Sequence, residues 1–497
     1  MLRDLGQHSR KRLRSSAGLR YLFPLATCFS LPSFAWQAKP LPASVTAQRQ
    51  FHRIRGNPLE LRAFLERMPK GGDLHLHISG AVYAETFIRE AGEDNLCVDL
   101  ATLTVVPNRG TTGNLPPKPA CPENSVAASS AFADQKLYDR LINAFSMRSF
   151  IPFAGTSRHD QFFSTFDRFV RINPQKHLGE WLDEVSRRAA AQNEQYLEVM
   201  HTPDFAQAAK LGHEVGWTGN LAETRNALLS NGLRNNVQED REELDRAEAD
   251  RERLEGCSAS EKTGPCGVQV RYLFQVLRGF PPEQVFAQTL LGFELASVDP
   301  RVVGINFVMA EDWYMPMREY HRQMEMLDYL HSVYPKVHIS LHAGELAPGL
   351  VPPDGLKFHI REAVELAHAE RIGHGVDVMH EREPHQLLRE MASKKIAVEI
   401  NITSNDLILG ISHGEHPLPL YRASGVPVVL CTDDEGVSRI DLTHEYLRAV
   451  NDFGLTYLDL KNIARASLRY SFLPADEKGR EEAELERRFR AFEASAR

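Results

Sequence analysis

The segment Asp73-Leu74-His75-Leu76-His77 ends a short apolar run with two imidazoles one residue apart. In a strand the side chains at i and i+2 leave the same face, so His75 and His77 can present two ring nitrogens to one point. Three more groups also follow apolar runs: His342-Ala343-Gly344-Glu345, Arg371-Ile372-Gly373-His374-Gly375 and Thr432-Asp433-Asp434-Glu435. Any one of these histidines, taken singly, is more often a hydrogen-bonded core residue than a ligand; their shared placement changes the reading. His75, His77, His342 and Asp433 form a nitrogen and oxygen donor set suited to zinc and are read as metal ligands. Glu345 follows a tight turn through Gly344 and can reach over the metal without ligating it. Partial desolvation there would raise its pKa and suit it to general acid work. His374, between two glycines, can orient or deprotonate a water. The adjacent Asp433 and Asp434 diverge, so one can hold metal while the other faces substrate.

Elements able to bring these groups together recur along the chain. Eight short apolar or β-rich runs lie at 72–75, 195–200, 268–276, 302–308, 336–341, 371–372, 396–400 and 426–431. Helical patterns at 178–191, 282–295, 317–333, 359–369 and 385–394 separate most of them. Alternating strands and helices imply parallel pairing, and eight units close a barrel, so the expected fold is an α/β (β/α)8 TIM barrel. Such barrels place active sites at the C-terminal ends of their strands. His75 and His77 end the first run, His342 the fifth, His374 the sixth and Asp433 the eighth. Two stretches fall outside the repeat, an insertion at 95–127 after the first strand and a charged segment at 236–256 that reads as a solvated helix.

The chain of 497 residues is 42% hydrophobic and 25% charged, ordinary globular proportions with a formal charge of −8. Arg10-Lys11-Arg12-Leu13-Arg14 precedes an apolar run at 21–35 that ends Ser33-Phe34-Ala35, the pattern of a secretory signal peptide over 1–35. Without it the balance is 52 basic against 65 acidic residues, a net −13, which argues against nucleic-acid binding and for a small neutral or cationic substrate. No run is long enough to span a membrane. Cys97 and Cys121 bracket a Pro- and Gly-rich loop, and Cys257 and Cys266 bracket another, so each pair can form a disulfide in an oxidising compartment. Cys431, ending an apolar run, reads as a buried thiol. The expected organisation is a signal peptide, a short arm at 36–67 with a helix at 58–67, the barrel at 68–475 and a C-terminal helix at 476–497.

Met68-Pro69-Lys70-Gly71-Gly72 leading into His75-Leu76-His77, with Val303-Gly304-Ile305 and the His342, His374 and Asp433 motifs, resembles in order and spacing the adenosine deaminases of the amidohydrolase superfamily. The signal peptide, the lead-in and the Cys-bracketed insertion look specifically like the secreted adenosine deaminase-related growth factor branch. The resemblance implies one zinc ion per chain on His75, His77, His342 and Asp433. It also implies Glu345 as the acid at purine N1, His374 as the aid to the attacking water, Asp434 bonded to N7 and the Gly304 backbone bonded to N3. The implied reaction is hydrolytic deamination of adenosine or 2′-deoxyadenosine to inosine and ammonia, by a secreted or periplasmic protein for which the branch resemblance implies a homodimer. Two departures stand out: Ser79 where cytosolic adenosine deaminases carry Asp, and the run 306–312, which differs from the usual pattern. The competing readings are a barrel metallohydrolase of another aminopurine or amine, and a secreted binding or signalling protein on the same scaffold.

Overall fold

The computed structural model describes residues 43–109, 120–257 and 263–495. The signal peptide expectation at 1–35 lies outside these residues, as do 36–42 of the arm, 110–119 of the insertion and 496–497 of the C-terminal helix.

Eight parallel strands form one sheet in sequential order: β1 Gly71–His77, β2 Glu194–His201, β3 Gln269–Leu277, β4 Val302–Val308, β5 His338–Ala343, β6 Arg371–His374, β7 Ala397–Ile400 and β8 Val428–Leu430. All eight coincide with the apolar runs. β1, β2, β6, β7 and β8 are buried along their whole length, as expected of parallel strands covered by side chains within and helices without. The sheet closes just beyond β8. Leu76 bridges to Asp433 in parallel, the Asp433 N–H donates to His75 O at 2.8 Å, and the His77 N–H donates to Asp433 O at 3.2 Å. Asp73 pins the same seam by accepting from the Thr432 N–H at 3.0 Å, the Thr432 hydroxyl at 2.6 Å and the His75 N–H at 3.0 Å. The chain ends of the barrel therefore meet where the candidate ligands sit.

The parts outside the repeat are folded onto the barrel. In the arm, helix Pro58–Arg67 starts as its residues demand, with Pro58 in the first turn and the Asn57 side chain accepting from the Leu59 and Glu60 N–H groups. A second helix, Ala43–Ile54, precedes it. Phe51 and Phe64 of these helices pack edge-on at 5.7 Å, and Phe64 meets Phe492 of the C-terminal helix Ala475–Ser495 at 5.0 Å. The insertion carries a small antiparallel sheet of Cys97–Asp99, Val105–Val106 and Ser125–Ala127, held by a Cys97 to Cys121 disulfide. Cys257 bonds to Cys266, and Cys431 is free and buried. The charged segment forms helix Leu233–Glu255 but is not simply solvated. Leu233, Val237, Leu244 and Ala247 bury one face, and the buried Glu243 reaches His201 at the end of β2. Among the described residues no helix is long and apolar enough to cross a membrane.

Candidate active site

The C-terminal ends of the strands bring four donors to one point. His75 Nε2 and His77 Nε2 each lie 3.1 Å from His342 Nε2, and Asp433 Oδ1 lies 3.1 Å from His77 Nε2 and 3.5 Å from His75 Nε2. Donors placed ~2.0–2.1 Å from a tetrahedral zinc would stand about 3.3–3.4 Å apart. The spacing is thus that of donors around a single cation. The outer ring nitrogens make the case stronger. His75 Nδ1 faces Glu399 Oε2 at 2.7 Å, His77 Nδ1 faces Gln275 Oε1 at 2.5 Å, and His342 Nδ1 faces Asn306 Oδ1 at 2.7 Å. Each partner is an acceptor, so each Nδ1 carries the proton and each Nε2 turns a lone pair toward the shared point. Three converging lone pairs and a carboxylate repel one another unless a cation lies among them. The residues fit a divalent metal.

The electrostatics agree. Burial opposes charge on His75, but the Asp433 and Glu399 carboxylates on either side outweigh it and push its pKa up to about 10, a measure of how strongly this spot favours positive charge. Burial, together with the neighbouring His75 and His77, holds His342 well below the usual histidine range. Glu399 is itself fixed by Arg371, whose Nε donates to Glu399 Oε1 at 2.5 Å while its Nη2 donates to Glu198 Oε2 at 2.5 Å. Ser404 donates its hydroxyl to Asp433 Oδ2 at 2.5 Å.

Beside the metal point lie three groups fitted for proton work. The turn at Gly344 has φ +76°, and its two N–H groups, from Gly344 and Glu345, donate to the Glu311 carboxylate at 3.0 and 2.7 Å. That hold aims the Glu345 side chain into the cavity. Burial first, then the Asp433 and Glu311 carboxylates, raise the Glu345 pKa well above the ordinary carboxylate range, which favours its protonated form. Asp434 is raised in the same way by burial and by Asp433, and its Oδ1 is buried without a partner. A side chain at Gly80 would begin 1.5 Å from that oxygen, so only glycine leaves room for it. His374 sits at φ +67° in the left-handed region, with Glu345 Oε1 3.7 Å and Asp433 Oδ2 4.0 Å from its ring nitrogens. Burial pushes its pKa down to about 3, so the ring is neutral.

A hydrogen-bond chain sets the tautomer of that ring. The Leu418 N–H donates to His416 Nδ1 at 3.1 Å, His416 Nε2 donates to Asn405 Oδ1 at 3.1 Å, and Asn405 Nδ2 donates to His374 Nδ1 at 2.9 Å. His374 Nδ1 is therefore an acceptor and Nε2 carries the hydrogen. That Nε2 is buried and has no protein partner. It is placed to orient an oxygen by donating to it, one of the two roles the sequence leaves open.

His75, His77, His342, Glu345, His374, Asp433 and Asp434 all meet here, and all but His75 line one cavity of about 580 Å³. Gly304 does not. Register pairs it with His338, at the far end of β5 from His342, and a side chain there would meet His338 O at 2.9 Å and the Phe472 ring at 3.0 Å. Its glycine serves barrel packing, and β4 reaches the cavity only through Val308 and Met309. The expected contact of Gly304 with substrate is corrected accordingly. Sequence reasoning did not single out Glu399, Gln275, Asn306, Asn405 or His416. Glu399 and Asn306 did carry a signal, a polar residue inside an otherwise apolar strand, because a buried position tolerates a polar side chain only with a partner; Gln275, on a strand that also holds Gln269 and Arg271, did not stand out. Helix Arg158–Phe169, whose aromatic residues wall the cavity, was also missed.

A barrel with a mononuclear donor set and, beside it, a carboxyl whose protonated form burial favours defines a hydrolase-like metal site. A model of the adenosine deaminase family matches residues 159–486, and the chain belongs to that family. An adenosine deaminase from Clostridium perfringens is 33% identical over 135 residues, which is 27% of this chain and 37% of that protein. The match thus spans little more than a third of the relative's length. Among solved structures, the N6-methyl-AMP deaminase from Arabidopsis thaliana superposes with a TM-score of 0.54 at 20% identity, covering 86% of this chain and 98% of that one. An amidohydrolase from Burkholderia ambifaria with bound Zn gives 0.54 at 18% identity, covering 88% and 94%. At these identities the likeness concerns the fold.

Proposed function

We propose that this protein hydrolyses the 6-amino group of adenosine and 2′-deoxyadenosine, giving inosine and ammonia, with one zinc ion per chain held by His75, His77, His342 and Asp433. The observation that carries the reading is the convergence of three Nε2 atoms and Asp433 Oδ1 at 3.1–3.5 Å beside a carboxyl whose protonated form burial favours. A zinc ion on these donors supplies the acidification of water that hydrolysis at neutral pH requires. The chain's own residues do the rest. Glu345 gives its proton to ring N1, which makes C6 electrophilic. Asp434, whose protonated form burial and Asp433 favour, donates to N7 and orients the ring. His374 holds the attacking oxygen through Nε2–H on the side opposite its Asn405 bond. As the C6–O bond forms and the C6–N bond breaks, the two protons of the water replace the one Glu345 gave to N1 and complete the amino group, which leaves as ammonia.

Export is part of this proposal. It is supported by the basic stretch and apolar run at the N-terminus and by two disulfides, which persist in oxidising compartments. The test is direct: purified protein is given adenosine while its ultraviolet change, ammonia release and metal content are followed together. Ammonia and inosine in equal amounts with about one zinc per chain support the reading. Inertness toward every 6-aminopurine nucleoside at full zinc content rejects it.

A further inference from the structure

In a purine nucleoside C6 and C5′ lie at opposite ends, so a substrate whose C6 meets the metal point sends its 5′ end outward along the cavity. The outward wall is aromatic, built from Phe162, Phe163 and Phe166 of helix Arg158–Phe169, from Phe205 and Phe280 on loops after β2 and β3, and from Trp313. Phe163 meets Trp313 at 5.8 Å with the ring planes tilted, and Phe205 meets Phe280 edge-on at 5.9 Å.

Apart from the Ser79 hydroxyl, the buried polar groups along this path are already occupied. His201 Nε2 bonds Glu243 at 2.7 Å, the Thr202 hydroxyl donates to Gln275 O at 2.9 Å, and Gln275 bonds both His77 and Thr202. Asp167, Gln175 and Asp204 stand at the rim in solvent, where a hydrogen bond adds little selectivity. Ser79 offers only a short hydroxyl. Among the described residues the cavity is lined by no lysine or arginine. A phosphate would meet the rim carboxylates without a counter-charge, whereas a hydrocarbon or a soft sulfur would meet ring faces and edges.

Resting on the deaminase reading above, we infer that this cavity selects 6-aminopurine nucleosides whose 5′ position is uncharged, and that it accepts apolar 5′ substituents such as hydrogen or an alkylthio group in place of the hydroxyl. The reaction is unchanged at the ring: water adds its oxygen to C6, the C6–N bond breaks, and the 5′-substituted inosine and ammonia leave.

The experiment compares kcat/KM of the zinc-loaded protein for adenosine, 5′-deoxyadenosine, 5′-methylthioadenosine and adenosine 5′-monophosphate. A site built to bond the 5′-hydroxyl would reject the deoxy analogue by about 10⁴–10⁵, so retention of 5′-deoxyadenosine and 5′-methylthioadenosine within about tenfold of adenosine is the expected result. The monophosphate should fall at least about a thousandfold below adenosine, the scale on which an unpaired charge in an apolar site is disfavoured. Phe163→Ala and Trp313→Ala should each lower kcat/KM for the methylthio nucleoside more than for adenosine. A larger loss on removing the hydroxyl, or monophosphate turnover matching adenosine, overturns the inference while leaving the deaminase reading standing. Failure on all three nucleosides sinks the deaminase reading and this inference with it.

Discussion

Two side chains carry sharply different expectations about chemistry. At Glu345, burial and two nearby carboxylates disfavour the ionised form. Glu345→Gln keeps the shape and removes the acid, and general acid catalysis is typically worth about 10²–10⁴-fold. The expected outcome is a loss of kcat of that size at unchanged zinc content, read by ammonia release beside metal analysis; undiminished turnover would show that another group protonates the ring. Asn405 touches no substrate. It positions His374 by donating to Nδ1 at 2.9 Å, so Asn405→Leu leaves that nitrogen only the longer Asn401 Nδ2 contact at 3.4 Å and lets the ring adopt the other tautomer, turning a lone pair toward the attacking oxygen. A wrong tautomer at a comparable histidine costs ~10⁴ in kcat, and here a loss of at least about a hundredfold in kcat with KM little changed is expected. Steady-state kinetics normalised to zinc-loaded, folded protein, together with the pH profile of kcat, decide it, because a merely structural defect lowers the active fraction but leaves the kcat per intact site and its pH dependence unchanged.

At the scale of elements, the turn after β5 is held by a carboxylate whose charge the fold itself favours. Burial alone would raise the Glu311 pKa, but the His359 ring 2.7 Å away, Arg278 and the Gly344 N–H hold it down to about 2, against an ordinary value of 4.5. The folded value lies below the unfolded one. Its contribution, about 3 kcal/mol by linkage, is therefore fully present above pH ~4.5 and is lost as the pH falls from there toward 2. Urea unfolding at pH 7, 4.5 and 3 should show the wild type losing stability across this window more steeply than Glu311→Gln. Equal acid slopes for the two proteins would remove Glu311 from the explanation.

For the whole molecule, the metal point and the barrel's closing seam coincide. His75 and His77 lie on β1, His342 on β5, and Asp433 follows β8 in direct backbone pairing with β1. A cation bound there joins the first and last strands, and it binds the folded chain alone because the donors are far apart in the unfolded one. At free metal about a thousandfold above its dissociation constant, such binding adds ~4 kcal/mol. A chelator should lower the thermal midpoint and abolish activity together, and added zinc should restore both. A midpoint indifferent to the chelator would mean that these four side chains hold no ion.

The amino-acid order by itself determined what is local. Apolar runs alternating with helical periods marked all eight strands. The His-x-His spacing placed two rings on one face, and the position of each polar motif after a run put it at a strand's C-terminal end. Family resemblance followed from the same short motifs. What required the tertiary structure was everything set by lateral neighbours: strand register, which moved Gly304 to the far end of the barrel, and the partners Glu399, Gln275 and Asn306 that turn three imidazoles to one tautomer. The chain from Leu418 through His416 and Asn405 to His374, and the aromatic wall from helix Arg158–Phe169, are of the same kind. The reason is physical. Periodicity acts over a few residues and is written in the chain, whereas hydrogen-bond partners hundreds of positions apart exist only once packing has chosen which strands and helices stand side by side.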